Sequence, residues 1–168
     1  MIRFVNRRLK SKILTENIDL DYKIKNIQKE IKNQVNKKFA GSLAIRMVDS
    51  GSCNGCEAEC NALSNPYYNL ERLGIYFVAS PRHADVMLLS GVLTSNMLSH
   101  VMDAYEQIPE PKWIITLGDC PLMQAPFEKT FAIKAPAQNH LPVFHHISGC
   151  PPEPKDIMLG LLEFLRRI

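Results

Sequence analysis

The sequence of 168 residues lacks several features that would place it in a common class of protein. It has no uninterrupted apolar run of about 18 residues, so the pattern predicts no membrane-spanning helix. Its basic beginning lacks the apolar stretch of a secretory signal, and we expect no export by that route. The five cysteines are odd in number and too widely spread for a disulfide-stapled miniprotein, which favours metal binding or redox chemistry.

Glycine, proline and cysteine are all missing from residues 1–38, although residues 39–168 contain all three. Residues 1–38 hold 11 Lys or Arg and four Asp or Glu, whereas residues 39–168 carry a net charge of −4. The sequence therefore predicts a basic arm over 1–38 and a compact domain over 39–168. The basic residues are not interleaved with stacking aromatics, so we expect no nucleic-acid partner.

The second half of the arm carries apolar residues at helical spacings of three and four. These residues are Ile24, Ile27, Ile31 and Val35. The stripe predicts an amphipathic helix, either packed on its own domain or lying on a larger subunit or an anionic membrane surface. A mitochondrial transit peptide over the first 15 residues is a further alternative.

The rest of the chain alternates short apolar runs with helical segments. We predict strands at 43–48, 75–79, 86–89, 113–117 and 143–147. Helices are predicted to begin around Cys56, to cover 98–107 and to follow Pro154, which suits a first helical turn. Nearly continuous apolar strands that alternate with helices predict an α/β fold with a mostly parallel sheet and helices on both faces.

Four of the cysteines follow predicted strands. Cys53 and Cys56 come after the first strand, Cys120 after the fourth and Cys150 after the fifth. The loops that follow parallel strands emerge at the same edge of a sheet, and ligand sites form there. We therefore expect these four sulfur atoms to lie close together.

Four thiolates can bind zinc or an iron–sulfur cluster. Structural zinc usually has two local pairs of cysteines, whereas here only Cys53 and Cys56 form a local pair. An iron–sulfur cluster is larger than a zinc ion, and its iron atoms can be bound by cysteines from separate loops. The isolated positions of Cys120 and Cys150 therefore favour a cluster. A zinc site, and a thioredoxin-type dithiol at Cys53 and Cys56, remain alternatives. We expect Cys60, one helical turn beyond Cys56, to be a small buried residue.

Three motifs of this sequence resemble those of one protein family. They are Cys53-Asn-Gly-Cys56-Glu57-Ala58-Glu59, Gly118-Asp119-Cys120 and Gly149-Cys150-Pro151-Pro152. With the segment 80–91 they are similar to the small electron-transfer subunit of energy-converting nickel–iron hydrogenases and formate hydrogenlyase. The same family includes the 20 kDa (B) subunit of respiratory complex I, whose members carry two adjacent cysteines where this chain has Cys-x-x-Cys.

The resemblance implies a flavodoxin-like fold that carries one 4Fe-4S cluster. The residues that match the ligand positions of the family are Cys53, Cys56, Cys120 and Cys150. Glu59 matches a carboxylate of the family and is a candidate for a proton relay beside the cluster. Arg82 and His83, on a predicted loop between strands, are candidates for contacts around the cluster or with a partner. His145 and His146 are expected to be structural, because neighbours on a strand point to opposite faces.

The resemblance also implies single-electron transfer in an oxidoreductase complex, with no catalytic residue in this chain. The expected partners are a large catalytic subunit of the hydrogenase or complex I type, membrane-arm subunits and a ferredoxin-like subunit. The expected location is the cytoplasmic face of the membrane, as a peripheral subunit. Two alternatives stay open: a quinone-reducing subunit of the complex I type without hydrogenase activity, and a zinc-stabilised binding module.

Overall fold

The structure, a computed structural model, describes residues 22–123, 130–134 and 136–168. Its centre is a five-stranded sheet in which all neighbouring strands are parallel. The strands are β1 (Leu43–Asp49), β2 (Ile75–Phe77), β3 (Val86–Ser90), β4 (Trp113–Leu117) and β5 (Val143–Ile147). Their order across the sheet is β2-β1-β3-β4-β5, which is the flavodoxin-like order. The predicted fold class is therefore confirmed.

In the described part of the chain, four helices cover the two faces of the sheet. They are α1 (Tyr22–Lys38), α2 (Gly55–Ala62), α3 (Leu98–Gln107) and α4 (Pro154–Arg167). Buried residues of α1, α2 and α4 share one core cluster with β1, whereas α3 packs on the other face of the sheet. Short 3-10 turns occupy Leu70–Leu73, Pro81–His83, Cys120–Leu122 and Ala137–Asn139. Both faces of the sheet are thus covered, as expected for buried parallel strands.

Helix α1 is part of the core of the domain. The side chains of Ile31 and Val35 are 0% exposed, and they pack in the same cluster as Phe164 and Leu165 of α4. At the end of α1, the Lys38 ammonium donates a hydrogen bond of 2.5 Å to the carbonyl oxygen of Leu165. Residues 22–38 therefore follow the first of the two alternatives, a helix packed on its own domain. Residues 1–21 lie outside the described residues, and the division of the chain at residue 38 remains a prediction.

Within the part of the chain that the structure describes, no helix combines the length and the apolar character needed to cross a bilayer.

Candidate metal centre

The loop after β1 is shaped by the side chain of Asp49. Its Oδ1 accepts hydrogen bonds from the backbone N–H groups of Gly51 (2.8 Å) and Ser52 (2.7 Å). The loop after β3 packs closely against this segment, since a Cβ atom at Gly91 would lie 2.4 Å from the backbone nitrogen of Ser52. This close contact between the two backbones fixes the position of Cys53, the next residue of the loop.

The loops after β4 and β5 are joined to each other by hydrogen bonds. The Asp119 N–H donates to the Gly149 carbonyl at 3.0 Å, and the Gly149 N–H donates to Asp119 Oδ1 at 2.7 Å. Cys120 and Cys150 directly follow these two residues in the chain. The reciprocal pair of hydrogen bonds therefore positions the two isolated cysteines relative to each other.

The structure brings the four predicted cysteines together at the carboxyl edge of the sheet. Cys56 and Cys120 are buried, with 8% and 6% of their surface exposed, whereas Cys53 and Cys150 are exposed. The side chains are close enough for each of the other three to raise the pKa of Cys56. The expected meeting of sulfurs from three separate loops is therefore present, with two sulfurs inside the domain and two at its surface.

Burial and neighbouring acidic groups raise the pKa of the two buried thiols, Cys56 and Cys120, and so favour their neutral form in the metal-free chain. Burial, followed by the nearby Glu57, Cys120, Cys53 and Cys150, raises the pKa of Cys56 to about 12. Burial also raises the pKa of Cys120, and Cys150 and Cys53 add to this effect. Several thiolates crowded into one site repel one another, and a positively charged metal centre is the group that reverses this repulsion.

A glycine is required directly beside the buried pair of cysteines. At Gly118, φ is +77°, and an added Cβ would lie 2.6 Å from Cys56 Sγ and 3.3 Å from the Gly149 carbonyl oxygen. The Cys56 thiol lies 3.9 Å from the carbonyl oxygen of Leu117, at the end of β4. The backbone after β4 thus passes close beside the Cys56 sulfur, and the site has no room for a side chain at this position.

We expect Gly118→Ala to lower metal content, because the new methyl group displaces Cys56 Sγ and the left-handed backbone becomes strained. The matched control is Gly41→Ala, at φ +93°, where the nearest atom to an added Cβ is 3.3 Å away and belongs to the Asn36 side chain. Both variants incur the backbone cost, but only Gly118→Ala disturbs a cysteine. Equal iron content per chain in the two variants would contradict this prediction.

Glu57 directly follows the buried Cys56 in the chain and, after burial, is the largest cause of the raised pKa of Cys56. The Ser90 hydroxyl, at the end of β3, donates a short hydrogen bond to Glu57 Oε1, while Glu57 Oε2 is buried without a hydrogen-bond partner among the described residues. The predicted relay residue, Glu59, instead contributes to raising the pKa of Cys60 and of Tyr68. A role for Glu59 as a relay stays a prediction.

Arg82 and His83 are not brought to the cysteines. Both are exposed on the 3-10 turn Pro81–His83, which comes directly before β3. The cysteines follow the carboxyl ends of strands, so the turn lies towards the opposite edge of the sheet. A contact between these two residues and a partner subunit remains a prediction.

The remaining candidates occupy structural positions. Cys60 is 2% exposed, and burial raises its pKa to about 12, in agreement with a small buried residue. His145 Nδ1 lies 3.2 Å from Arg167 Nη1, and His146 Nδ1 lies 3.0 Å from the Thr116 hydroxyl. Burial lowers the pKa of both histidines. Both are neutral side chains that pack between β5 and its neighbours.

The four thiols fit a cluster by the chemistry of their donor atoms and by their setting. Thiolates are the usual ligands of iron–sulfur clusters, and here they come from separate loops with glycine backbone beside them. Among the described residues, no group of three or more His, Cys, Asp and Glu is already arranged around a position for a single metal ion.

The fold and the site define a class of protein. It is an α/β domain with a flavodoxin-like sheet and four cysteines at the carboxyl edge of that sheet. The chain belongs to the family of the 20 kDa subunit of NADH ubiquinone oxidoreductase, whose family model matches residues 53–164. The matched range includes all four cysteines. The resemblance found in the sequence motifs is therefore confirmed.

Two curated relatives are hydrogenase and hydrogenlyase subunits. The chain is 41% identical over 132 residues to the probable membrane-bound hydrogenase subunit mbhJ of Pyrococcus furiosus, with 78% of this chain and 79% of the relative covered. It is 38% identical over 133 residues to formate hydrogenlyase subunit 7 of Escherichia coli K12, covering 76% of this chain but only 52% of that longer relative.

Solved structures show the same fold. A chain of the membrane-bound sulfane sulfur reductase, an archaeal respiratory membrane complex, superposes with a TM-score of 0.67 at 30% identity, covering 82% of this chain and 75% of that chain. A chain of the NAD+-reducing NiFe-hydrogenase in the H2-reduced state gives a TM-score of 0.58 at 14% identity, covering 75% of this chain and 92% of that chain. The second likeness, at this identity, concerns the fold alone.

Proposed function

We propose that this chain is the electron-transfer subunit of a membrane-associated oxidoreductase complex of the hydrogenase or complex I type. In this proposal Cys53, Cys56, Cys120 and Cys150 hold one 4Fe-4S cluster, and the chain itself contributes no catalytic residue. The observation that carries the proposal is the meeting of these four sulfurs, from three loops, at one edge of the sheet. When bound, the cluster would accept and release single electrons.

The residues of the chain would fix the cluster and set its surroundings. The Asp119–Gly149 pair of hydrogen bonds joins the loops of Cys120 and Cys150, so we expect the sulfur positions to change little between redox states of the cluster. Burial of Cys56 and Cys120 lowers the local dielectric, which is one of the factors that tune a cluster potential. The Ser90 hydroxyl bound to Glu57 fixes a carboxylate next to Cys56.

The exposed cysteines indicate how electrons would enter or leave. Cys53 and Cys150 are exposed, so one side of the proposed cluster would face the surface of this chain. A large catalytic subunit that covers this side would come close enough to exchange electrons with it. The Cys-x-x-Cys spacing and the hydrogenase and hydrogenlyase relatives favour a hydrogenase-type partner, in a complex with membrane-arm and ferredoxin-like subunits.

The test is anaerobic purification of the complex followed by iron and acid-labile sulfide analysis, with EPR on the reduced protein. We expect a brown protein with about four irons and four sulfides per small subunit. A colourless protein with one zinc ion would contradict the proposal and support the zinc-stabilised module. In the same preparation, a large subunit that retains two Cys-x-x-Cys pairs for nickel would support the hydrogenase type, whereas their absence would support the quinone-reducing alternative.

A further inference from the structure

A pocket of about 330 Å³ lies at the open edge of the sheet, next to helix α2. Strand β2 ends at Phe77, and its pairing with β1 covers only residues Leu43 to Ile45 of that strand. Strand β1 continues to Asp49, so its second half has no neighbouring strand on this side among the described residues. The residues that line the pocket are Arg46, Met47, Cys60, Asn61, Ser64, Phe77, Val78 and Ala79.

Arg46 is the charged residue of this pocket, and its charge is not balanced within the described part of the chain. Its Nε atom is shielded from solvent and has no hydrogen-bond partner among the described residues. None of the ion pairs found between described residues includes it. A shielded donor of a charged group that forms no hydrogen bond costs free energy, which is recovered when an acceptor enters the site.

The lining indicates the chemistry of that acceptor. A guanidinium group matches a carboxylate geometrically, because its N–H groups can donate two parallel hydrogen bonds. Asn61 and Ser64 add an amide and a hydroxyl, while Phe77 and Val78 provide apolar walls for the stem of an acidic side chain. Tyr76 and Phe77 on the edge strand are 41% and 37% exposed, and exposed aromatics of this kind are enriched in protein interfaces.

We propose that this pocket receives an aspartate or glutamate side chain of the large partner subunit. The proposal rests on the proposed function, since helix α2 carries both Cys56 near its start and Cys60 in the pocket wall. A carboxylate bound to Arg46 would therefore anchor the partner beside the helix that holds the metal centre. The exposed aromatics of β2 would extend the contact beyond the pocket.

The test compares Arg46→Met with Arg72→Met in the complete complex, purified through a tag on the large subunit. Methionine keeps much of the length of the side chain and removes the charge, and Arg72 is an exposed arginine outside this pocket. For Arg46→Met we expect at least about tenfold weaker association, because the partner carboxylate is left buried and unpaired. For Arg72→Met we expect association equal to that of the unmodified chain.

Two measurements on the isolated full-length chain separate docking from other roles of Arg46. We expect Arg46→Met to leave iron content unchanged and to leave the melting temperature unchanged or higher, since the variant loses an unpartnered donor. A lower melting temperature that parallels the loss of association would assign Arg46 a structural role and overturn the proposal. Association at the unmodified level would also overturn it.

A small anion is the competing occupant. If sodium sulfate raises the melting temperature of the unmodified chain but not of Arg46→Met, while association is unaffected, the pocket binds a free anion and the proposal is overturned. Failure of the proposed function is seen separately, as an unmodified complex that contains no iron. The two failures therefore cannot be confused.

Discussion

Replacing Cys120 by serine is expected to remove the proposed cluster, lowering iron from about four atoms to less than one per chain and abolishing the EPR signal. Cys120 is 6% exposed and is held by the loop that hydrogen-bonds to Gly149. The segment between β4 and β5 contains no other cysteine, so none can replace it from the same loop. The measurement is iron and sulfide analysis of the anaerobically purified variant.

The matched control is Cys60→Ala, which removes a buried sulfur that the proposal does not use. We expect this variant to keep its full iron content, with at most a modest loss of stability from the vacated volume. A thiol oxidoreductase based on Cys53 and Cys56 would show the opposite dependence, because its activity would survive Cys120→Ser. Equal iron in both variants would contradict the assignment of the ligands.

Replacing Ile31 by alanine is expected to destabilise the isolated chain by about 3 kcal/mol, which corresponds to roughly 6–12 °C in melting temperature. Ile31 is 0% exposed and packs in the core cluster between α1 and α4. The lost methyl and methylene groups leave a cavity that the surrounding side chains cannot fill completely. Thermal unfolding monitored by circular dichroism measures the change.

Lys32→Ala is the control in the same helix, one residue further on and exposed. We expect its free energy of unfolding to stay within about 0.5 kcal/mol of that of the unmodified chain, as for other surface substitutions. A helix that served only as a docking strip for another subunit would show no loss of stability for Ile31→Ala in the isolated chain. That outcome would refute the inclusion of α1 in the core.

The sequence was sufficient to predict the sheet, because the apolar runs are short and end at turn-forming residues. The run 113–117 is followed by Gly118, and the observed strand β4 has the same bounds. Strands β1 and β3 each run one residue beyond their predicted ends, whereas β2 ends at Phe77, two residues before its predicted end. Val78 still donates a hydrogen bond to the Ile45 carbonyl, but the chain then turns towards Pro81, which starts a 3-10 turn.

The convergence of the cysteines could also be predicted, since it depends only on the parallel direction of the strands. The contacts made by the residues around the cysteines could not be predicted from the sequence. The Ser90–Glu57 hydrogen bond joins β3 to α2, and the unpaired position of Arg46 depends on where β2 stops. Both depend on register and element length, which local sequence patterns specify poorly. Likewise, the helical period of α1 indicated an apolar stripe but did not indicate whether this domain or another subunit covers that stripe.

The division of the cysteines into a buried and an exposed pair has a consequence for biogenesis. Cys56 and Cys120 lie beneath the surface, whereas Cys53 and Cys150 remain accessible from outside. Iron delivered by a scaffold protein would have to arrive from that accessible side, which is also the side that the large subunit would cover. Under the proposed function, iron loading of this chain would therefore come first and closure by the large subunit second.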